Sequence, residues 1–237
     1  ASKRAKTGKD NVHSSSSSSR SSSSSSAVAS SAASAEGFGD ADAAQSLFEE
    51  GFAVFYGCDF KTTDEKRGQL LIEAASLAGL PLAEAVCHLW GWCGFAEDEQ
   101  KGFEMFKKIA EETGDAMSEN LVGYCFQNGN GVEKNLTKAV ELYTKSAEKG
   151  YSAAMNNLGY CFERGIGVEK NLTKAVEWYT KAAEKGESTA MYNLGDCFEN
   201  GHGVARNLAT ALEWYTKARD AGCEDAEERI NIIRENL

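Results

Sequence analysis

Histidine is nearly missing from this chain: 237 residues hold only His13, His88 and His202. None lies near a repeated serine or cysteine constellation, so a nucleophile–base–orienter triad has little material. Long apolar runs are missing as well. No stretch reaches 18 uninterrupted apolar residues, which excludes a bilayer-spanning helix. The most apolar stretch, Leu80 to Ala96, carries Glu84 and His88 and predicts a buried helix. Proline occurs once, at Pro81. No signal peptide is visible; because the chain begins at Ala1, a leader already removed is left open.

Basic residues are also in deficit, 25 against 36 acidic ones. The deficit belongs to one part of the chain. Residues 1–36 hold five basic and two acidic residues, leaving 20 basic against 34 acidic in the body. A surface that acidic repels phosphate backbones and anionic lipids, so neither nucleic acid nor a membrane surface is an expected partner of the body. Residues 1–36 have no aromatic residue and 16 serines, with runs at Ser14–Ser19 and Ser21–Ser26. Such a segment cannot bury enough apolar surface to offset its ordering entropy and reads as a disordered tail. Its Lys3-Arg4-Ala5-Lys6 cluster reads as a solubilising patch rather than a localisation signal.

What the body does have is repetition. Asp115–Gly150 and Tyr151–Gly186 align without a gap at 24 identical positions of 36, and Tyr151–Gly186 against Glu187–Gly222 at 22 of 36. A fixed period of this size means a solenoid, in which each unit buries its apolar face against its neighbours. Each copy reads as two helices. The first carries Ala154, Leu158, Cys161 and Phe162 as one stripe. Gly165 and Gly167 mark the turn, Asn171 caps a second helix, and Ala175, Trp178, Tyr179 and Ala182 form its inner stripe. Lys185 suits the last turn of that helix, and Gly186 the left-handed residue after it.

This pattern resembles the Sel-one-like repeat, a relative of the tetratricopeptide repeat. The matching residues are Ala154, Leu158, Gly159, Gly165, Gly167, Val168, Lys174, Ala175, Trp178, Tyr179, Lys181, Ala182, Ala183 and Gly186, with Phe162 in place of the usual tyrosine. The resemblance implies an all-α fold: a right-handed α-solenoid of about five two-helix repeats with a 36-residue period, plus a C-terminal capping helix. The expected organisation is a tail at 1–36 and a solenoid at 42–237. Its repeats fall at 42–79, 80–114, 115–150, 151–186 and 187–222, and its cap at 223–237. Upstream the pattern decays. In the unit Ala83 to Gly114, Gly94 is matched to Gly165, Lys101 to Lys174 and Phe106 to Tyr179, with a shorter turn.

Chemistry is sparse in the repeats. The turns Gly129-Asn130-Gly131, Gly165-Ile166-Gly167 and Gly201-His202-Gly203 lack the preceding strand and third glycine of a dinucleotide loop. Cys125, Cys161 and Cys197 share one repeat position. Equivalent residues of stacked helices lie about 8–10 Å apart, beyond a disulfide's reach. Together with Cys58, Cys87, Cys93 and Cys223 they read as reduced core thiols of a cytoplasmic or nuclear protein. Cys87 and Cys93, six apart on one predicted helix, fall on nearly opposite faces and make a poor zinc site. The acidic residues pair with lysines four away, as Glu177 does with Lys181, in a solvated-face pattern. Asn135 and Asn171 head glycosylation sequons, which leaves the endoplasmic reticulum lumen as the minority compartment. Cap duty explains both more simply. No metal or cofactor is expected.

In tetratricopeptide-like stacks the first helices line a concave groove. Carried over, that geometry places Asn120, Tyr124 and Gln127 in it, then Asn156, Tyr160 and Glu163, then Tyr192, Asp196 and Glu199. Such side chains suit hydrogen bonding to an extended peptide or partner helix. The same register adds Leu89 and Trp92 as an apolar pocket, whereas Phe48, Phe52 and Phe55 read as core. The expected function is a non-catalytic adaptor for protein partners. By the resemblance these include ubiquitin-ligase and signalling complexes. The alternatives are an enzyme akin to secreted cysteine-rich relatives linked to β-lactam binding, and a spacer whose phosphorylated tail binds.

Overall fold

The computed structural model describes residues 41–55 and 65–235, all within the unit Gly37–Leu237. The expected tail, Cys58 and the side chains of Phe52 and Phe55 lie outside the described residues. Among those residues the regular structure is eleven helices and no strand. They are α1 (Ala41–Phe55), α2 (Glu65–Leu77), α3 (Pro81–Trp90), α4 (Glu99–Thr113), α5 (Ala116–Asn128), α6 (Leu136–Glu148), α7 (Ser152–Arg164), α8 (Leu172–Glu184), α9 (Ser188–Asn200), α10 (Leu208–Asp220) and α11 (Asp225–Glu235). Consecutive helices pair from α1–α2 to α9–α10, and each second helix packs against the first helix of the next pair. The first helices α5 and α7 also touch directly, and α11 closes the stack against α10. This is the α-solenoid that the repeats predict.

Local chemistry sets the helix ends. Asn135, Asn171 and Asn207 each accept from a backbone N–H of the next turn, at 3.0, 3.0 and 3.2 Å for the residue three places on. Asp98 and Asp115 do the same for α4 and α5 at 2.9 and 2.7 Å. These side chains satisfy amides that have no helical partner, so the boundaries fall where the caps stand. First helices stop at glycine. Gly129, Gly165 and Gly201 adopt left-handed φ and donate to the carbonyls of Cys125, Cys161 and Cys197.

The same backbone pattern corrects the register of the second repeat. Gly91, at φ 68°, donates to the Cys87 carbonyl, and Asp98 N–H to the His88 carbonyl. Gly129 to Cys125 and Asn135 to Phe126 are the corresponding bonds one unit further on, and Gly165 to Cys161 and Asn171 to Phe162 those two units on. Gly91, not Gly94, is therefore the counterpart of Gly165, and the turn is one residue longer rather than shorter. Both Gly91 and Gly94 have positive φ, and only the hydrogen bonds of the turn tell them apart. Cys87 thus becomes a fourth member of the repeated cysteine position. The helix expected from Leu80 to Ala96 stops at Trp90.

Packing follows the expected stripes in their centres. Ala154, Leu158, Cys161, Ala175, Tyr179 and Ala182 are buried, and so is Phe48, whereas Phe162 and Trp178 are half-buried at the stripe edges. Close approach explains Gly159: a Cβ there would lie 2.5 Å from the Tyr179 ring. Losing a side chain on one helix lets a buried aromatic of the other fill the space.

Candidate functional site

The face built by α5, α7 and α9 carries nine of the ten candidate residues. Its first layer belongs to the stack itself. Asn157 Nδ2 donates to Asn120 Oδ1 at 2.9 Å, and Asn193 Nδ2 donates to Asn156 Oδ1 at 3.0 Å. Both bonds link one repeat to the next. Asn120 is only 3% exposed, so it is a buried bridge rather than a groove side chain. A half-buried amide that loses such a partner leaves an unsatisfied donor, which costs more than the bond contributes. Asn156, expected as a groove side chain, therefore also serves the stack.

A second layer joins the two helices within each repeat. Tyr143, Tyr179 and Tyr215 are fully buried, and their hydroxyls donate to Gln127, Glu163 and Glu199 at 3.2, 2.8 and 2.9 Å. Burial, reinforced for Tyr179 and Tyr215 by the carboxylate beside each, pushes all three phenols above their ordinary range. They remain protonated donors. Arg229 Nη2 also reaches Glu199 Oε1, at 2.5 Å, and ties the capping helix to the last repeat.

What remains is a narrower set. Tyr124, Tyr160 and Asp196 occupy one position on successive first helices. Tyr160 is 41% exposed, with the Arg164 guanidinium 5.8 Å from its ring centre. Asp196 Oδ2 lies 3.5 Å from His202 Nδ1, and its Oδ1 accepts from Asn200 at 2.9 Å. Tyr192 is half-buried, edge-on to Tyr215 at 5.2 Å. Trp92 is not on a first helix. It sits in the turn after α3, at the place of Ile166 and His202, with its ring 5.4 Å from Trp90. Leu89 is 1% exposed and belongs to the core, so the expected Leu89–Trp92 pocket is not formed. A groove of about 540 Å³ opens elsewhere, lined by Leu80, Leu82, Met105, Ile109 and Asp115 among others.

One polar site escaped the sequence reading altogether. Glu119, read with the other acids as solvated, is 1% exposed and ion-paired with Lys145 and with Lys149, the latter at 2.7 Å. Ser146 Oγ donates to the Ala116 carbonyl at 2.6 Å beside it. The available signal was substitution between copies, because Met155 and Met191 stand at the same repeat position.

The thiols are core groups. Burial pushes Cys125, Cys161 and Cys197 up to about 12, which keeps them protonated and unreactive. Cys223 is disulfide-bonded, a departure from seven free thiols. Among the described residues no three histidine, cysteine or acidic side chains are grouped to hold a metal ion. No helix there is long and apolar enough to cross a membrane.

Capped helix pairs joined by glycine turns and stacked along one axis define a tetratricopeptide-like helical-repeat protein. The chain belongs to the Sel1 repeat family, whose model matches residues 72–113, 116–151, 152–187 and 188–223. Proteins of this family generally serve as interaction scaffolds. A Sel1 repeat protein of Oxalobacter formigenes is 30% identical, with a TM-score of 0.60 over 83% of this chain and 81% of that one. A protective antigen of uropathogenic Escherichia coli with an SLR fold is 26% identical, with a TM-score of 0.57 over 81% of this chain and 41% of that one. Among curated proteins, rat DAP3-binding cell death enhancer 1 is 34% identical over 91 residues, 38% of this chain and 18% of its own length. Chitin synthase regulatory factor 3 of Schizosaccharomyces pombe is 38% identical over 61 residues, 26% of this chain and 6% of its own length. The chain thus spans less than a fifth of either curated relative.

Proposed function

We propose that this solenoid is a non-catalytic scaffold that holds a peptide segment or helix of a protein partner along α5, α7 and α9. The observation that carries this reading is Tyr160. Among the residues whose burial is described it is the only exposed aromatic side chain on a helix, at 41%, and it lies between Asn156 and Glu163, which bond in the two layers. An amphipathic ring on a rigid backbone is a low-entropy anchor for a partner. Tyr124, Tyr192 and Asp196 flank it. Asn156, Gln127, Glu163 and Glu199 act first by holding these helices in register, and their remaining lone pairs and N–H groups edge the same face. Relatives point the same way: the rat protein is named for binding DAP3, and the yeast one for regulating chitin synthase.

The test compares capture of partners from a cell extract by wild type, by Tyr160→Ala with Asp196→Ala, and by Glu184→Ala on the outer surface of α8. Loss of a central anchor typically costs about 1–2 kcal/mol, so capture should fall roughly tenfold for the double variant alone. Folding should move by less than about 0.5 kcal/mol, as exposed substitutions do. Undiminished capture by a folded double variant would remove the face from consideration.

A further inference from the structure

The sequence sets Cys87 and Cys93 on opposite faces of one helix, and the fold does not. Helix α3 ends at Trp90, and the chain turns back through Gly91 and Trp92, whose N–H donates to the Cys87 carbonyl at 2.8 Å. That reversal carries Cys93 onto Cys87. The two Sγ atoms lie 3.4 Å apart, with the Cys87 thiol donating to Cys93. No ladder of stacked repeats produces this contact, since the other cysteines of the Cys87 position each stand alone in their unit.

Two further observations single out Cys93. It is the only described non-glycine residue with positive φ, at 57°, a conformation the chain otherwise reserves for thirteen glycines. Glycine would hold that turn with less strain, so the side chain is what sets Cys93 apart there. It is also half-buried rather than sealed, whereas Cys87 is fully buried. Neighbouring groups hold it in place: its N–H donates to Glu73 Oε1 at 3.3 Å, and its thiol reaches the Glu73 carbonyl at 3.7 Å.

We propose that Cys87 and Cys93 form a reversible disulfide by exchange with small-molecule disulfides of the glutathione class, locking the α3–α4 turn. Closing the bond needs the sulfurs to approach from 3.4 Å to about 2.05 Å, within the reach of side-chain rotation and a small shift of the turn. The accessible Cys93 sulfur attacks the external disulfide as its thiolate. A Cys93–S bond forms, the external S–S bond breaks, and one thiolate leaves. Cys87 then attacks the Cys93 sulfur, the mixed disulfide breaks, and the second thiolate leaves. The two protons given up by the cysteines go to the two departing thiolates, and the external disulfide takes up both electrons. Burial raises the pKa of both thiols, for Cys87 to about 12, so the exchange is slow near neutral pH and quickens with alkalinity. The bond joins the last turn of α3 to the segment that carries Trp92 and the exposed Phe95, whose ring packs 4.2 Å from His88.

The experiment incubates the full chain, first reduced without denaturant, in oxidised glutathione, and then digests it with trypsin. Residues 68–101 form a single tryptic peptide holding Cys87 and Cys93 and no other cysteine. We expect that peptide to lose two hydrogens and regain them in dithiothreitol. Cys87→Ser, unable to complete the second step, should instead accumulate a glutathione adduct on Cys93. Cys93→Ser should leave Cys87 unmodified in the native state. A wild-type peptide that stays reduced, or that stops at a stable adduct, overturns the proposal. So does linkage of Cys87 or Cys93 to a third cysteine.

Discussion

The hydroxyl of Tyr179 on α8 donates to Glu163 Oε2 on α7 at 2.8 Å. Tyr143 with Gln127 and Tyr215 with Glu199 repeat the pair one unit away on either side. In the second repeat both members change together. The acceptor position holds Leu89 and the donor position Phe106, and both are buried. A hydroxyl without an acceptor, or a carboxylate without its donor, is worse than an apolar pair. Tyr179→Phe alone should therefore destabilise by about 1 kcal/mol, because Glu163 loses its donor. Tyr179→Phe with Glu163→Leu should recover most of that loss. Urea unfolding of the four members of this cycle measures the coupling, and strictly additive losses would refute it.

The glycine turns have a second role beyond their backbone angles. A Cβ on Gly167 would lie 2.3 Å from the Leu136 carbonyl, at the start of the preceding repeat's second helix. Gly203 meets Leu172 in the same way. Gly167→Ala should thus combine left-handed strain with a clash between repeats, costing more than about 1–3 kcal/mol. Gly186→Ala is the comparison, because it shares the positive φ but has open space around it. Equal losses in thermal unfolding would mean that the inter-repeat contact contributes nothing.

Glu119 offers a test of a buried ion pair against this chain's own alternative. Methionine occupies the equivalent positions 155 and 191. Glu119→Met should be neutral or stabilising by about 1–3 kcal/mol, since the carboxylate's desolvation offsets much of its attraction to Lys145 and Lys149. Replacing both lysines by methionine while keeping Glu119 should instead cost on the order of 3 kcal/mol. Chemical denaturation of the two variants gives opposite signs if the ion pair is as described.

Glu187 supplies the pH dependence. Burial raises its pKa above the ordinary carboxylate value, only partly countered by the Ser152 hydroxyl, which donates to it at 2.8 Å. The folded state therefore holds this proton more tightly than the unfolded chain. Its contribution is complete below the unfolded value of about 4.3 and is lost as pH rises through the higher folded one. Glu187→Gln should raise the melting temperature relative to wild type at neutral pH. The difference should shrink as the medium is acidified toward pH 4. A difference independent of pH would show that burial of Glu187 carries no such penalty.

Much of the fold was legible because its determinants are local. Asn135, Asn171 and Asn207 lie three residues before the amides they cap, and the buried stripes of α7 and α8 follow a 3.6-residue period within single helices. The candidate face was less legible. Periodicity places Asn156, Tyr160 and Glu163 on one side of α7, but all three look alike as polar positions. Only their partners separate them. Asn156 answers to Asn193, Glu163 to Tyr179, and of the three Tyr160 alone is exposed.

By itself the sequence determined the repeat, its helices, their caps and the family, because each depends on contacts within a dozen residues or on copying at a fixed period. Tertiary structure alone decided which polar residues bind the stack together. The bonds from Asn157 to Asn120 and from Asn193 to Asn156 span 37 residues, and Lys149 reaches Glu119 across thirty. It also decided that Cys93 folds back onto Cys87, since a turn with left-handed residues at Gly91, Cys93 and Gly94 replaces the helix that periodicity extends. Side-chain partnership is set by where chain segments meet in space, and a pattern along one chain records only which face each residue occupies.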